Sequence, residues 1–274
     1  MIKTIFKSKA MKLYSRIAIV ILAISIASSC GREAKKDQVR EESQESHWSY
    51  EGETSPEHWA DLEKNSDCSG QRQSPINIID IHAVEDEDQK SSIDFFYSPK
   101  TILNKVRNNG HSIQFDFELG DSIVNNGVNF NLIQIHFHEP SEHTINGVRY
   151  PIEIHLVHQS KQKNYTVLSV LGIEGEQSET MENMESFLPL QIGQEKEIER
   201  AFDLSRIFPE NKTYYSYGGS LTTPPCTENV EWVVFKEPIA VSLEEVLKLK
   251  DNMPLENYRN EQPLNDRLVH LHKM

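Results

Sequence analysis

The sequence predicts a mainly β protein, a single domain around a large, mostly antiparallel twisted central β-sheet with short peripheral helices. Three observations predict this class: apolar and alternating stretches recur along the chain, Asn-Gly turns separate them, and helical patterns are few and short. The 274 residues, 37% hydrophobic and 26% charged, have the composition of an ordinary globular protein. A formal net charge of −14 argues against nucleic acid as a partner.

Residues 1–29 are typical of a signal peptide, with Met1 or Met11 as the start. They contain five basic residues and no acidic one, and the apolar run Ile17–Ala27 is too short for a comfortable membrane span. Small residues then lead to Cys30, which resembles the cleavage site of bacterial lipoproteins. We therefore expect export to the periplasm, outer membrane or cell envelope, with membrane contact only through a lipid on Cys30. Ordinary cleavage, leaving Cys30 as an incidental thiol, stays open.

We assign residues 30–46 to the lipidated cysteine and a flexible tether. The segment is polar and charged, so it cannot bury enough apolar surface to offset the entropy cost of ordering. From Trp48 onward aromatic and β-branched residues appear regularly, and no second linker follows. We assign residues 47–274 to one folded domain.

The clearest strand pattern lies in Ser112–Leu119, where Ile113, Phe115, Phe117 and Leu119 alternate with polar residues and share one predicted face. Four further strands are more apolar, as interior strands of a sheet are. They are Leu132–His138, Ile152–His158, Tyr165–Ile173 and Val230–Phe235.

Turns and helices complete the pattern. A capping box of Ser242 and Glu245 predicts a helix over Leu243–Leu249, and Met181–Leu190 is a second candidate. Turn signals occur at Asn108-Asn109-Gly110, Asn125-Asn126-Gly127, Asn146-Gly147 and Gly218-Gly219.

Two predicted strands carry histidines in register with other polar residues. Because side chains at i and i+2 share a face, Gln134, His136 and His138 point one way. Ile133, Ile135 and Phe137 are expected to point the other way.

The second strand places Glu153, His155 and Val157 on one face. Two imidazoles from one strand and one from its neighbour would form a His₃ set with an open fourth position, the arrangement of catalytic zinc, and Gln134 and Glu153 could each accept a ring N–H. Hydrogen-bonded or exposed histidines without metal are the alternative. The spacing alone leaves the two about equally supported.

Several segments together resemble the signature motifs of the α-class carbonic anhydrases. The resemblance runs from Trp48 to Arg267, nearly the whole domain, with the motifs in the family's order. The principal motifs are Gln134-Ile-His-Phe-His138, Ser141-Glu-His-Thr144, Glu153-Ile-His-Leu-Val-His158, Val170-Leu-Gly172 and Leu221-Thr-Thr-Pro-Pro225.

The resemblance implies a zinc enzyme that reversibly hydrates carbon dioxide to bicarbonate and a proton through a zinc-bound hydroxide. It implies Zn²⁺ on His136, His138 and His155. Gln134 and Glu153 would orient two of these rings. Thr222 would donate to Glu142 and orient the reacting oxygen. The partners are then CO₂, water and bicarbonate, and the oligomeric state, a homodimer included, stays open.

A proton shuttle and an apolar pocket are implied in the same way. His111 matches the shuttle position, with Tyr50 and Asn109 ordering the solvent; a surface histidine beside a turn is the alternative. The alternative for the pocket residues is plain core packing. The implied pocket comprises Val157, Val170, Leu221, Thr223, Val230 and Trp232.

The resemblance also implies a disulfide between Cys68 and Cys226, which suits an exported chain; two buried free thiols are the alternative. A non-catalytic binding module on the same fold is the main competing function. Such relatives typically lack a zinc histidine, whereas all three remain here beside Glu142 and Thr222. Ester hydrolysis is expected only as a side activity.

Overall fold

The computed structural model describes residues 48–62, 65–85 and 93–274. The signal peptide, Cys30 and the tether lie outside the described residues. Within these ranges no helix has the length and apolarity needed to cross a membrane.

Strands make up most of the regular structure. The helices are short: α1 (Trp59–Leu62), α2 (Glu179–Glu185) and α3 (Leu243–Lys250), with 3₁₀ turns at Gly52–Thr54, Pro56–His58 and Asp80–His82. The strands are β1 (Asn77–Ile78), β2 (Val84–Glu85), β3 (Asp94–Phe96), β4 (Thr101–Asn108), β5 (Ile113–Phe117), β6 (Ser122–Asn125), β7 (Val128–His138), β8 (Thr144–Ile145), β9 (Val148–Arg149), β10 (Ile152–Ser160), β11 (Tyr165–Glu174), β12 (Glu195–Phe202), β13 (Tyr214–Ser220), β14 (Glu228–Phe235), β15 (Ile239–Val241) and β16 (His270–His272).

One large sheet organises the domain, which confirms the predicted fold class. In the described part of the chain its main path is β12-β4-β5-β7-β10-β11-β14-β13-β16-β2, with β3, β6 and β15 attached beside it. Most neighbours pair antiparallel, while β11 pairs parallel with both β14 and β15. The smaller sheet β1-β8-β9 lies apart from this path. Strands β7 and β10 therefore sit in the middle of the large sheet.

The two faces of the central strands support different cores. In β10, Ile154 and Leu156 belong to the larger hydrophobic cluster, together with Phe115 and Phe137. Val157, on the other face, belongs to a smaller cluster. The predicted alternation of β10 is thus confirmed, and the histidine-bearing face is the one with the smaller cluster.

A β-bulge corrects the predicted orientation of Ile133. Val157 pairs with Gln134, but the next residue, His158, pairs with Leu132, so Ile133 is the extra residue of β7. In such a bulge the two residues that face one partner, here Ile133 and Gln134 opposite Val157, point to the same side of the sheet. Ile133 consequently packs against the smaller cluster on the histidine side, while Leu132 and Ile135 stay in the larger one.

Gly218-Gly219 is not a turn, as was expected, but part of strand β13. Gly219 is needed for space, because a Cβ there would collide with the Ser74 hydroxyl and with the rings of Tyr217 and Trp232. At Gly218 a Cβ would meet only the end of the exposed Arg72 side chain. The three Asn-Gly signals are turns, with positive φ at Gly110, Gly127 and Gly147.

Two other elements differ from prediction at their ends. Strand β5 stops at Phe117, and Leu119 lies beyond it with its side chain 74% exposed. Helix α2 begins after Ser178, whose side chain accepts from the Met181 N–H, and ends at Glu185. The predicted Met181–Leu190 helix is therefore shifted toward the N-terminus. Helix α3 has the predicted capping box of Ser242 and Glu245.

The predicted disulfide is confirmed: Cys68 and Cys226 are bonded across a sequence separation of 158 residues. Both half-cystines are buried with Trp59 in a small third cluster. The bond ties the 65–74 segment to the loop that follows β13.

Candidate metal centre

Three histidines from neighbouring strands meet on one face of the large sheet. Strands β7 and β10 pair antiparallel with His136 opposite His155, and His138 opposite Glu153. One ring nitrogen of each histidine lies within 4.8 Å of the corresponding nitrogens of the others, close enough for a shared ion. The structure thus brings together the three residues that the sequence nominated as metal ligands.

Each of these rings is held through its second nitrogen by an oxygen acceptor. His136 Nδ1 lies 2.9 Å from Gln134 Oε1, and His155 Nε2 lies 2.7 Å from Glu153 Oε1. His138 Nδ1 lies 2.6 Å from the backbone carbonyl oxygen of Asn257. Because a carboxylate or carbonyl oxygen can only accept, each contacted nitrogen carries the proton. The remaining nitrogens therefore present lone pairs to the common centre.

Burial keeps these rings neutral. It lowers the pKa of His138 to about 4, and it lowers the pKa values of His136 and His155 as well. His138 Nε2 is buried and has no hydrogen-bond partner in the described structure. A buried polar nitrogen without a partner is costly unless something binds it. The donor set consequently fits a divalent metal ion that prefers neutral imidazole.

A second group, His143, Glu153 and His155, is also close enough for a metal. Its atoms are already used for hydrogen bonds. Glu153 Oε1 accepts from both rings and from Ser169 Oγ, and its Oε2 accepts the backbone N–H groups of Glu142 and His143. Burial raises the pKa of Glu153, but the adjacent His143 and His155 rings lower it by more. The pKa of Glu153 is therefore well below its usual value. The Glu153 carboxylate thus supports the His136, His138 and His155 site as a fixed anionic hydrogen-bond acceptor.

Glu142 is buried beside the three rings. Its Oε2 lies 3.4 Å from His138 Nε2 and 4.0 Å from His155 Nδ1, and its Oε1 accepts the backbone N–H of Arg259. Burial raises the pKa of Glu142 to about 7, while the neighbouring His155 ring and the Thr222 hydroxyl act in the opposite direction. Thr222 is itself buried. The structure therefore places Glu142 and Thr222 together, next to the histidines.

A short closed turn carries Thr222. The Leu221 N–H donates to Thr227 O, and the Cys226 N–H donates to Thr223 O. Asp67 N–H donates to Pro225 O beside the disulfide. These bonds and the disulfide fix the turn against the N-terminal part of the domain.

An apolar wall lies on the histidine face. Val157, Val230 and Trp232 belong to the smaller cluster, and Leu221 packs against it. The Trp232 ring lies 4.8 Å from that of His155, centre to centre, and its Nε1 donates to Ser220 O. Thr223 is half-buried in the same turn as Leu221.

Val170 does not belong to this wall. It pairs with Ile154 in the sheet, so its side chain points to the opposite face, and it packs in the larger cluster. Leu171, the next residue of β11, takes the histidine face instead. The placement of Val170 implied by the resemblance is therefore corrected by strand alternation.

His111 lies at the turn before β5, half-buried against an aromatic side chain. Its ring stacks on Trp48 with centres 3.6 Å apart, and Tyr50 lies 6.3 Å away. Asn109 Oδ1 accepts the backbone N–H groups of His111 and Ser112, which fixes the turn. Residues of this turn and Trp48 border an open cavity of about 900 Å³.

The burial of Tyr50 raises the pKa of its phenol well above the usual value, and the nearby charge of Glu142 adds to the effect. Tyr50 therefore belongs to the same electrostatic neighbourhood as the metal site.

Three residues of the site had not been singled out from the sequence. Asn257 accepts from His138 through its backbone carbonyl, and Arg259 donates to Glu142 through its backbone N–H. Ser169 donates to Glu153. The first two act through main-chain atoms, which leave no side-chain signal. Ser169 sits directly opposite His155 in β11, so alternation could have identified it.

Known proteins resemble this chain over most of its length. The model of the eukaryotic-type carbonic anhydrase family matches residues 54–273. A carbonic anhydrase of Klebsiella pneumoniae is 40% identical over 230 residues, which cover 82% of this chain and 90% of that protein. One of Neisseria gonorrhoeae is 38% identical over 226 residues, covering 81% of this chain and 87% of that protein.

Solved structures show the same likeness. The α-carbonic anhydrase of Thermovibrio ammonificans, in complex with the inhibitor sulfanilamide, aligns with a TM-score of 0.77 and 41% identity over 82% of this chain and 98% of its own. Dioscorin, complexed with ascorbate, aligns with a TM-score of 0.76 and 31% identity over 83% of this chain and 98% of its own.

Proposed function

The chain belongs to the α-class carbonic anhydrases, enzymes that interconvert carbon dioxide and bicarbonate, and from this membership we propose that His136, His138 and His155 bind Zn²⁺. The observation that carries the proposal is the convergence of three lone-pair nitrogens whose other nitrogens are all hydrogen-bonded to acceptors. Such a facial His₃ set leaves a fourth position open.

Zinc, when bound, would supply Lewis acidity, which lowers the pKa of a coordinated water to about 7, far below that of bulk water. The protein determines how much of the ion's positive charge remains, through the charge of its ligands. Neutral imidazoles do not reduce the ion's double charge, as a carboxylate ligand would, and Glu153 holds the His155 ring by accepting its N–H.

Glu142 and Thr222 orient the small molecule in the open position. We propose that the buried Thr222 donates its hydroxyl proton to the neighbouring Glu142 carboxylate, so that the Thr222 oxygen can only accept a hydrogen bond from what lies beyond it. This directs a lone pair of the reacting oxygen away from Thr222. The Thr222 backbone N–H is available to hold one oxygen of bicarbonate.

The apolar wall suits CO₂, which is linear and carries no net charge. Val157, Val230 and Trp232 offer it a hydrophobic contact beside the histidines without charged groups. A product with a negative charge is less well accommodated there, which favours release of bicarbonate.

We propose that His111 carries the proton released by the reaction to the solvent. Its half-buried ring borders an open cavity that gives a proton an exit to solvent, and Tyr50 and Asn109 line the same cavity. Tyr50 and Asn109, on the same side, would order the intervening water.

The test is stopped-flow CO₂ hydration by the purified domain before and after chelation, with zinc content measured in parallel. We expect activity to disappear with the metal and to return with added Zn²⁺. His138→Ala should lose both zinc and activity, whereas the matched variant His82→Ala, an exposed histidine, should keep both. Activity that survives complete chelation would contradict the proposal.

We further propose that the protein is exported and anchored by a lipid on Cys30. The Cys68–Cys226 disulfide supports export, because such bonds persist in oxidising compartments. Labelling with a radioactive fatty acid should mark the wild type and not Cys30→Ser. An unlabelled wild type recovered with the soluble envelope fraction would contradict the anchor.

A further inference from the structure

A short segment after α3 contacts the metal site at two points through main-chain atoms. Asn257 accepts from His138, and two residues later the Arg259 N–H donates to Glu142 Oε1 at 2.9 Å. The segment has no regular secondary structure that would fix its backbone. At one end of the segment the buried Asn257 side chain supplies the hold: it donates to His111 O and Phe137 O and accepts the Glu139 N–H.

The guanidinium group of Arg259 holds the other end of the segment. The side chain is 3% exposed. Its Nη1 donates to Gln73 Oε1 at 2.7 Å and to Ser74 O at 3.0 Å, and its Nη2 donates to Cys68 O at 3.1 Å. All three acceptors lie in the 68–74 segment, which the disulfide ties to the Thr222 turn. Arg259 thus connects the segment that holds Glu142 to the one that supports Thr222.

Arg259 has no carboxylate partner among the described residues, and its acceptors are neutral oxygens. Burying a guanidinium without an ion pair is expensive, and apolar replacement often stabilises such positions. Burial lowers its pKa to about 10, while the charge of Glu142 attracts the cation and acts in the opposite direction. The group therefore stays charged at neutral pH. It also lies over the ring of Trp59, 5.7 Å from its centre, so its contacts tie the segment to the cluster around the disulfide.

We propose that Arg259 is a positioning residue for Glu142: its buried guanidinium fixes the Arg259 end of the 257–259 segment so that its own backbone N–H holds the carboxylate toward Thr222. The inference rests on the proposed function. Arg259 touches neither the metal position nor the substrate pocket, and it acts through Glu142.

This positioning has a consequence for ligand selection. With Glu142 fixed, Thr222 must donate to it and accept from any ligand in the open position. Ligands that present a hydrogen, such as a sulfonamide, are then favoured over anions that carry none. If Glu142 moves, Thr222 can rotate and donate to the ligand, so the preference weakens.

The experiment compares two probes on the full zinc-loaded chain: sulfanilamide, which carries a sulfonamide hydrogen, and thiocyanate, which carries none. For Arg259→Met we expect sulfanilamide affinity to fall about tenfold relative to thiocyanate affinity, and kcat/KM for CO₂ to fall at least as much, with zinc content retained. Arg259→Lys keeps the charge and one donor, and should recover part of the ratio.

Arg267→Met is the matched control. Arg267 is also buried, lies over the Tyr217 ring and donates to three backbone carbonyls, but it has no contact with Glu142. We expect it to lose thermal stability while the ratio of the two affinities stays unchanged. Gln73→Leu removes one acceptor of Arg259 and serves as the test if Arg259→Met does not fold. It should change the ratio of sulfanilamide to thiocyanate affinity in the same direction as Arg259→Met, but by less.

An unchanged ratio in folded Arg259→Lys and Gln73→Leu would overturn the inference, as would an equal shift in Arg267→Met. A wild-type chain that binds neither zinc nor sulfanilamide would instead contradict the proposed function. The two failures are therefore distinguishable.

Discussion

The ring of His111 lies flat against the Trp48 indole, with an interplanar angle of 14°. Stacking uses the face of the imidazole, and an indole face attracts the protonated ring more than the neutral one. The contact therefore restrains the ring while it changes charge. This is a suitable property for a group that accepts and releases a proton.

Replacing His111 tests this role. His111→Ala should lower kcat about tenfold or more, because proton transfer to solvent becomes slow, and should leave kcat/KM for CO₂ nearly unchanged. Imidazole buffer should restore part of kcat. Stopped-flow kinetics at several buffer concentrations provide the measurement, and an equal loss of both constants would assign His111 another role.

A second buried histidine links stability to pH. Burial lowers the pKa of His158 to about 3, and the neutral ring donates from Nδ1 to Leu156 O and accepts from the Tyr97 hydroxyl. The unfolded chain binds a proton near pH 6.5 and the folded chain does not. The free energy of unfolding should therefore fall by up to about 1.4 kcal/mol per unit as the pH drops from 6.5 to 3.

Chemical denaturation of wild type and His158→Gln over this pH range measures the effect. The glutamine can keep both hydrogen bonds but cannot be protonated, so its pH slope should be shallower. Parallel slopes for the two proteins would show that other groups dominate the acid response.

At the scale of single residues, the sequence predicted side chains better than main-chain contacts. Alternation placed Gln134 beside His136 and Glu153 beside His155, because each pair lies two apart on one strand. The contacts of Asn257 and Arg259 come from a segment more than a hundred residues away. They use the carbonyl and N–H that nearly every residue has, so no pattern marks them.

Helix α3 shows how much one side chain contributes to an element. Ser242 Oγ accepts the Glu245 N–H, and Glu245 Oε2 accepts the Ser242 N–H. Ser242→Ala should lower the free energy of unfolding by about 1 kcal/mol, since it leaves a first-turn N–H without its partner. Ser178→Ala should lower the free energy of unfolding by less, because the Met181 N–H lies 3.5 Å from Ser178 Oγ at the start of α2. Ser242→Asn should lower it only slightly, because asparagine is also a good N-cap residue. Urea denaturation measures all three, and a larger loss for Ser178→Ala would contradict the comparison.

The elements that prediction missed are those decided by contacts between strands. The bulge at Ile133 depends on the register with β10, which the sequence of β7 alone does not contain. The pair Gly218-Gly219 resembles a turn until Ser74 and two aromatic rings are placed against Gly219. Long apolar strands such as β10 and β11 were predictable because burial on both faces leaves a continuous pattern.

For the whole molecule, the disulfide is the strongest single constraint on the unfolded chain. Closing a loop of 158 residues contributes about 4–5 kcal/mol in the loop-entropy description. Cys68→Ala/Cys226→Ala should therefore unfold at distinctly lower urea concentration than the oxidised wild type. The reduced wild type should resemble the variant, and a loss below about 1 kcal/mol would show that strain offsets the entropy.

The fold class followed from local patterns, but the strand order did not. Strand β11 pairs parallel with β14, more than fifty residues later, and β12 returns to the opposite edge beside β4. Such long-range pairings are chosen by the packing of complete faces. The resemblance to a known family, carried by a few motifs, supplied candidate site residues and the disulfide, and it gave no strand order.

Because the metal-binding face and the larger cluster lie on opposite sides of the same strands, thermal robustness and turnover can be engineered separately. Substitutions that improve packing around Leu103, Ile123 or Phe202 lie in the larger cluster. They are separated from the histidines by a layer of backbone. A version of the enzyme for hot or industrial CO₂ capture is therefore best sought by substitutions in the larger cluster. The face that carries the histidines is then left unchanged.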